Sequence, residues 1–402
     1  MGSAIGKKLP PRLKRVLLRV YNSLLEFRVL IERKYTEVYV RTCPIKQNKV
    51  VFSRFSGLPY GDNPKYIAGE MISRNLGWDL VWLAKDPELP LPAGIRSVRI
   101  GTQKALREMA SAKFIVDNIR NTKRPPKRKQ VYLQTWHGGL AFKAVEGDVP
   151  GLNPDYVAAA KQDGKNCDGI ISSCGIQTEE FRRCFWLHEM TEILEFGLPR
   201  NDKLFNNQVI DEAAEAVRVA LGIAPNKRMV LYMPTFRDDR SMDGYELDYQ
   251  GVLAAFEERF GTEFVMVVRM HPNVQDHAGA IPYDERIING TVYPDAQELY
   301  MAADFLITDY SSAAFDFALL KRPVFLCALD YDKFRKERGL VSVFEECPFP
   351  HAYTNHELKD CVAGFSQEAY DARCDAYMKV WRPFDRGDAA RRIVDWMIAK
   401  NK

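Results

Sequence analysis

The sequence predicts an α/β protein built from two Rossmann-like halves, each a doubly wound parallel sheet. Three observations carry that prediction. Short apolar, partly β-branched runs alternate with helix-periodic segments along most of the chain. The alternation begins afresh after Phe205, and 402 residues exceed one ordinary core but suit two.

Residues 13–31 come first. Leu13, Val16, Leu17, Val20, Tyr21, Leu24, Phe27 and Ile31 fall at helical spacing among Arg and Lys, and Pro10-Pro11 sets this helix apart. Residues 1–34 hold nine Lys and Arg against Glu26 and Glu32, while the whole chain is only +4, so the remainder is slightly acidic and suggests no nucleic-acid partner. A basic amphipathic helix suits the headgroup layer of an anionic membrane. A helix docked on the protein's own body, its cations solvated, accounts for the same pattern. We assign 1–35 to this helix, 36–205 to the first Rossmann-like domain and 206–402 to the second, joined near 203–210.

In the first domain, strands are expected at 49–53, 80–84, 114–116, 131–133, 169–172 and 192–196, and helices at 65–74, 104–112 and 178–187. The second domain repeats the scheme: helix 211–221, strand 229–233, helix 253–260, strand 264–269 and helix 297–302. Its clearest unit is 304–330. Phe305-Leu306-Ile307-Thr308 reads as a buried strand, Asp309-Tyr310-Ser311-Ser312 as a turn, and 314–320 as a helix closed by Lys321, Arg322 and Pro323 before strand Val324-Phe325-Leu326. A last helix, 389–398, is placed to pack back on the first domain.

In a parallel sheet, ligands bind beyond the carboxyl ends of the strands, and four expected strand ends carry chemistry. His137, between Trp136 and Gly138-Gly139, has the pKa range of a general base. Thr235 and Arg237 follow strand 229–233, and a guanidinium fork suits a phosphate. Arg269 and His271 follow strand 264–269, with Pro272 restricting the backbone of His271. Ser311 and Ser312 open a helix, whose unpaired amides suit phosphate oxygens. Taken singly, each has a bland reading: a structural histidine, a cation paired with neighbouring aspartates, an N-cap serine. Taken together, they place a lone base on one wall of a cleft and cations with hydroxyls on the other.

YLQTWHGG, FGLPRND, YMPTFRDD, RMHP and ITDYSSAAFDFALLKRPVF, with YGDNPKYI upstream, resemble in order and spacing the motifs of the CDP-glycerol glycerophosphotransferase family, the teichoic-acid primases and polymerases. The resemblance covers about 49–332. It implies a GT-B architecture and transfer of glycerol phosphate, or a related polyol phosphate, from CDP-glycerol or CDP-ribitol to a hydroxyl of a lipid-linked glycan or polyol-phosphate acceptor, in synthesis of a teichoic-acid or capsule-like polymer. By position, His137 matches the family's catalytic base and His271 a histidine acting on the donor phosphates or departing CMP. Ser311, Ser312, Thr235, Arg237 and Arg269 match the donor-diphosphate side, with Asp309 and Asp316 in support. The family continues T-P-L-K after W-H-G, whereas this chain has Gly139-Leu140-Ala141-Phe142-Lys143, a departure expected to touch the acceptor side.

No tightly bound metal is expected, and a loosely associated Mg2+ stays compatible. The eight cysteines lack metal-ligand spacing and fit reduced thiols. No apolar run reaches the roughly 20 residues that span a bilayer, so the expected location is cytoplasmic, peripheral on the inner face of the membrane. His351, His356 and His277 read as surface residues. Two rivals remain: a GT-B nucleotide-sugar glycosyltransferase, and a non-catalytic membrane-associated scaffold.

Overall fold

The computed structural model describes residues 11–401 apart from 121–128, 238, 272, 273, 275, 276 and 278, and the side chains of these except 11–20, 22–25 and 243. The apolar side chains at 13–20 and 24, and the restraint of Pro272 on His271, therefore lie outside what is described.

In the first half, strands β1 (Lys46–Ser53), β2 (Asp79–Ala84), β3 (Ile95–Arg99), β4 (Ala112–Asp117), β5 (Val131–Gln134), β6 (Gly169–Ser172) and β7 (Glu192–Glu195) form a parallel sheet in the order 3-2-1-4-5-6-7. In the second, β8 (Arg228–Tyr232), β9 (Phe264–Val268), β10 (Ile287–Asn289), β11 (Phe305–Thr308), β12 (Val324–Cys327) and β13 (His351–Ala352) form another, ordered 10-9-8-11-12-13. Strand order reverses between β1 and β4 and between β8 and β11, so each half has the switch point at which ligands enter a doubly wound sheet.

Helices α1 (Pro11–Thr42), α2 (Asp62–Ser73), α3 (Gln103–Ser111), α4 (Pro154–Asn166) and α5 (Gly175–Cys184) belong to the first half. A 3-10 segment, Pro199–Phe205, leads directly into α6 (Asn207–Leu221), so the expected link at 203–210 is itself largely helical. Then follow α7 (Tyr249–Phe260), α8 (Ala296–Ala302), α9 (Ala313–Ala318), α10 (Tyr331–Arg338), α11 (Val343–Glu346), α12 (Asn355–Ala363), α13 (Gln367–Trp381) and α14 (Ala389–Lys400). Strands β9 and β11 are buried along their length and β1 over its last five residues, as both faces are covered by helices. In α14, Ile393, Val394, Trp396 and Met397 join the core of the first sheet, and the Asp202 carboxylate accepts from the Ala389 and Ala390 amides at 2.9 and 2.8 Å to start the helix.

Several expectations shift. The N-terminal helix runs beyond 35 to Thr42, because its last turns dock on α3: Arg107 donates to the buried Thr36 hydroxyl at 3.0 Å and lies over the Tyr35 ring. Helix α9 stops at Ala318, two residues short of the expected end, and Lys321 takes a left-handed backbone at φ 55°. Arg322 accordingly caps a different helix, donating to the Met301 carbonyl at the end of α8 at 2.7 Å. His351 is half-buried on β13, with Nε2 2.6 Å from the Phe344 carbonyl, and so is not a surface residue; His356 is exposed.

Candidate active site

The carboxyl ends of the two sheets meet at two glycines. A Cβ on Gly138 would lie 3.5 Å from Ser312 Oγ, and one on Gly139 would lie 3.4 Å from Asp316 Oδ1. The loop after β5 therefore passes close over the start of α9, and the missing side chains permit that approach. This contact joins His137 on one wall to Ser311 and Ser312 on the other.

His137 follows Trp136, whose φ of 50° turns the chain sharply out of β5. Its Nδ1 lies 2.9 Å from the Asn118 carbonyl oxygen. A carbonyl only accepts, so Nδ1 carries the proton and Nε2 presents a lone pair. The ring packs between Phe55 and Trp136, at centroid distances of 5.2 and 4.4 Å. Burial pushes the His137 pKa below its ordinary value, opposed by the Asn118 carbonyl and Asp62 and reinforced by Lys143 and Arg200. The geometry is that of a neutral, oriented base.

What holds it in place comes from two motifs that residue chemistry alone left without a role. In FGLPRND, Arg200 is 7% exposed and donates to the His137 carbonyl at 2.7 Å, to Asp62 at 2.9 Å and to Asp316 at 2.7 Å. In YGDNPKYI, Asp62 accepts from Asn118 at 2.6 Å, while Asn63 donates to the Thr135 and Trp136 carbonyls at 3.3 Å. Asn201 adds a second bond to Asp316 at 3.0 Å. Asp316 thus supports the site as the second domain's anchor for Arg200, not as a ligand group.

The opposite wall requires one correction. Arg237 is only 3% exposed, and its guanidinium is engaged by two carboxylates: Nε and Nη2 donate to Asp330 at 2.6 and 2.8 Å, and Nη2 to Asp309 at 2.9 Å. It stacks over Tyr310 and Phe334 and is neutralised there, so it does not offer a cation to a diphosphate. The tie is structural. Asp309 also accepts from the Thr235 and Tyr310 amides at 2.8 and 2.6 Å, fixing the turns after β8 and β11 to each other. Burial raises the Asp309 pKa, and Arg237 opposes that rise. Thr235 is buried beside them.

Ser311 and Ser312 remain half-buried at the cleft, Ser311 Oγ accepting from the Ala313 amide at 3.2 Å. His271 stacks on Phe236 at 4.4 Å, and its amide donates to the Tyr245 hydroxyl at 3.1 Å. Burial, then Lys143, then His137 push its pKa down to about 4, so the ring is uncharged at neutral pH before any anion arrives. Arg269 turns toward the β10 edge, away from the serines, and donates to the Gly290 and Tyr293 carbonyls at 3.3 and 2.6 Å. Lys143, not singled out by residue type, lies close enough to both histidines to oppose their protonation. Among the described residues no three His, Cys, Asp or Glu side chains gather as metal ligands.

With this geometry in hand, the chain compares directly with known proteins. The profile of the CDP-glycerol:poly(glycerophosphate) glycerophosphotransferase family matches residues 35–399. The chain belongs to that family. The teichoic acid poly(glycerol phosphate) polymerase of Staphylococcus epidermidis is 31% identical over 97% of this chain and 54% of its own length. The protein of the same description from Bacillus subtilis is 33% identical over 85% of this chain and 47% of its own. This glycerophosphotransferase-family chain thus spans about half the length of these curated relatives. A solved variant of the wall teichoic acid polymerase TagF superposes with a TM-score of 0.81 at 30% identity, covering 98% of both chains, and the same variant has been soaked with CDPG. The two facing domains are the GT-B arrangement.

The stretch after Trp136-His137-Gly138 is where this chain departs from the family's expected T-P-L-K, and the structure relocates that difference. Leu140 and Phe142 are buried in the core of the second domain, Phe142 against Phe315 and Phe344, and Lys143 bridges to Leu340. The altered loop therefore packs on the second domain, not only on the first.

Proposed function

We propose that the protein transfers glycerol phosphate, or a related polyol phosphate such as ribitol phosphate, from a CDP-activated donor to a hydroxyl of a lipid-linked glycan or polyol-phosphate acceptor. The observation that carries this reading is the His137 lone pair, held neutral on one wall, opposite the Ser311-Ser312 turn with His271 and Lys143 on the other. In the reaction, the acceptor hydroxyl gives its proton to His137 Nε2 as its oxygen bonds to the β-phosphorus of the donor. The bond from that phosphorus to the bridging oxygen breaks, and CMP leaves with the electron pair. Positioning and offsetting of phosphoryl charge dominate such a step. Lys143 and the serine hydroxyls supply this, and a phosphate beside His271 raises its pKa, so that the ring donates a proton to the oxygen it faces.

The membrane reading rests on α1. Tyr21, Phe27, Val29, Leu30 and Ile31 are each more than half exposed, an apolar surface beside the basic N-terminal stretch. No helix among the described residues is long and apolar enough to cross a membrane. The protein accordingly lies on the cytoplasmic face, reaching a lipid-linked acceptor from the surface. Sedimentation with anionic but not zwitterionic vesicles, abolished by deleting residues 1–34, is the expected result.

The decisive experiment follows CMP release from CDP-glycerol and CDP-ribitol, with and without a lipid-linked acceptor. Acceptor-stimulated release from one donor, reduced about 100-fold or more in His137→Ala, is expected. No release from either donor by folded protein, with turnover of a nucleotide sugar instead, overturns the reading in favour of glycosyl transfer.

A further inference from the structure

A cavity of about 360 Å³ lies where the chain crosses between the two domains. Phe205 lines it from the first crossing, and Trp381, Pro383 and Asp385 line it from the second, the stretch that joins α13 to α14. It is separate from the reaction centre: His137, Lys143, His271, Ser311 and Ser312 take no part in its wall. Much of that wall is aromatic. Phe349 and Trp381 both pack on Phe315, at centroid distances of 5.5 and 5.2 Å, and Tyr377 stands one helical turn before Trp381 on α13. A mainly apolar cavity with a few placed polar groups is the ordinary form of a small-molecule site.

The polar group that matters is Asp385, which is only 9% exposed. Its Oδ1 accepts from the Leu198 amide at 2.9 Å and from Asn201 Nδ2 at 3.3 Å. Among the described residues, Oδ2 has no hydrogen-bond partner and no Lys, Arg or His lies within ion-pair distance of the carboxylate. Asp316, held by the same Asn201 nitrogen at 3.0 Å, is by contrast met by Arg200 at 2.7 Å. Burial pushes the Asp385 pKa up to about 7, opposed by the Leu198 amide and Asn201 and reinforced by Asp316 and Asp202. A carboxylate taken out of water without a counter-charge is costly, and the cavity gives a cation access to this one. The rest of the lining has the same bias, with Asp371 and Asp375 against one exposed cation, Lys321, among the described residues.

The aromatic wall decides what kind of cation fits. A bare inorganic ion meets the charge but leaves the apolar surface uncovered, whereas a cation with an apolar body meets both, and aromatic rings add their own attraction for it. The Tyr377 hydroxyl is also buried without a hydrogen-bond partner among the described residues, a second unsatisfied polar group on a residue of this wall. We propose that the cavity binds an organic ammonium ion, its N–H groups bonded to Asp385 Oδ2 and its apolar body held among Phe349, Tyr377 and Trp381. The site goes beyond the glycerophosphotransfer reading and does not depend on it.

The test is a titration of the full chain, isotopically labelled at its methionine methyl groups, at a pH above that of Asp385 ionisation. The probe is phenethylammonium, and phenethyl alcohol is its uncharged counterpart. Phenethylammonium is expected to bind and to shift the methyl resonance of Met378, which lines the cavity, while leaving that of Met71 in the first domain's core in place. The alcohol is expected to bind about tenfold or more weakly, the scale of a lost charge-assisted hydrogen bond. Asp385→Asn, which keeps the side chain's size, should abolish the preference for the ammonium ion, and Ala318→Leu, which narrows the cavity, should weaken both ligands. Unchanged melting curves establish that the variants are folded, and the wild-type comparison of the two probes stands without them. No binding of phenethylammonium, shifts that spare Met378, equal affinity for the alcohol, or undiminished preference in Asp385→Asn would each overturn the proposal.

Discussion

Two arginines, Arg237 and Arg269, leave the ends of neighbouring strands in the same sheet, and the structure gives them opposite roles. Arg237 is closed in by Asp309 and Asp330, under the rings of Tyr310 and Phe334. Arg269 donates to the Gly290 and Tyr293 carbonyls, and no carboxylate lies within ion-pair distance of it among the described residues. Their local sequences, FRDD and VRMH, do not explain the contrast, since Asp309 and Asp330 reach Arg237 from 72 and 93 residues away. A cation becomes available to a ligand only when no carboxylate from a distant part of the chain reaches it first.

The contrast can be broken by substitution. Arg237→Met leaves Asp309 and Asp330 buried without their counter-charge and should cost about 3–5 kcal/mol of stability, read as a lower denaturant midpoint. Retention of full stability would dissolve the distinction between the two arginines. Asp316→Asn removes the charge that Arg200 meets across the domains and should cost about 1.5–3 kcal/mol, together with a loss of turnover greater than any change in donor KM, because Arg200 holds the His137 loop. Arg269→Gln, which gives up only bonds to carbonyls, should cost less than about 1.5 kcal/mol.

The two walls also differ in how they meet protons. His137 and His271 both have lowered pKa values, so the folded protein binds fewer protons than the unfolded chain below about pH 6.5. Their contribution to stability is present above that pH and is lost as pH falls toward 4. For catalysis, kcat/KM should stay level from about pH 8 to 6.5 and fall at lower pH as His137 protonates. An acid limb already falling above pH 7 would show that the base is not the imidazole held by Asn118.

Much of the frame is legible in the chain itself. The buried strands β5, β9 and β11 stand out as apolar runs, and the turns that follow them carry His137, His271, Ser311 and Ser312. Less legible are β3, β10 and β13, which are edge strands or very short and show no continuous apolar run. Helices α10 and α13 are dominated by charged and polar side chains and pack through few apolar positions. Arg200, Asp62 and Asn63 lay within recognisable motifs, yet nothing local distinguishes a base's support from an ordinary polar loop.

By itself, then, the sequence determined the succession of strands and helices, the placement of chemical side chains at strand ends, and the family to which they belong, because these depend on periodicity and short-range order. Tertiary structure decided which charges are neutralised and which protons sit where. Arg237 meets Asp309 across 72 residues and Asp330 across 93, and Arg200 meets Asp316 across 116. Pairings at such separation follow from how two sheets face each other, and the electrostatic state of a side chain depends on the partner that arrives, not on its neighbours in the chain.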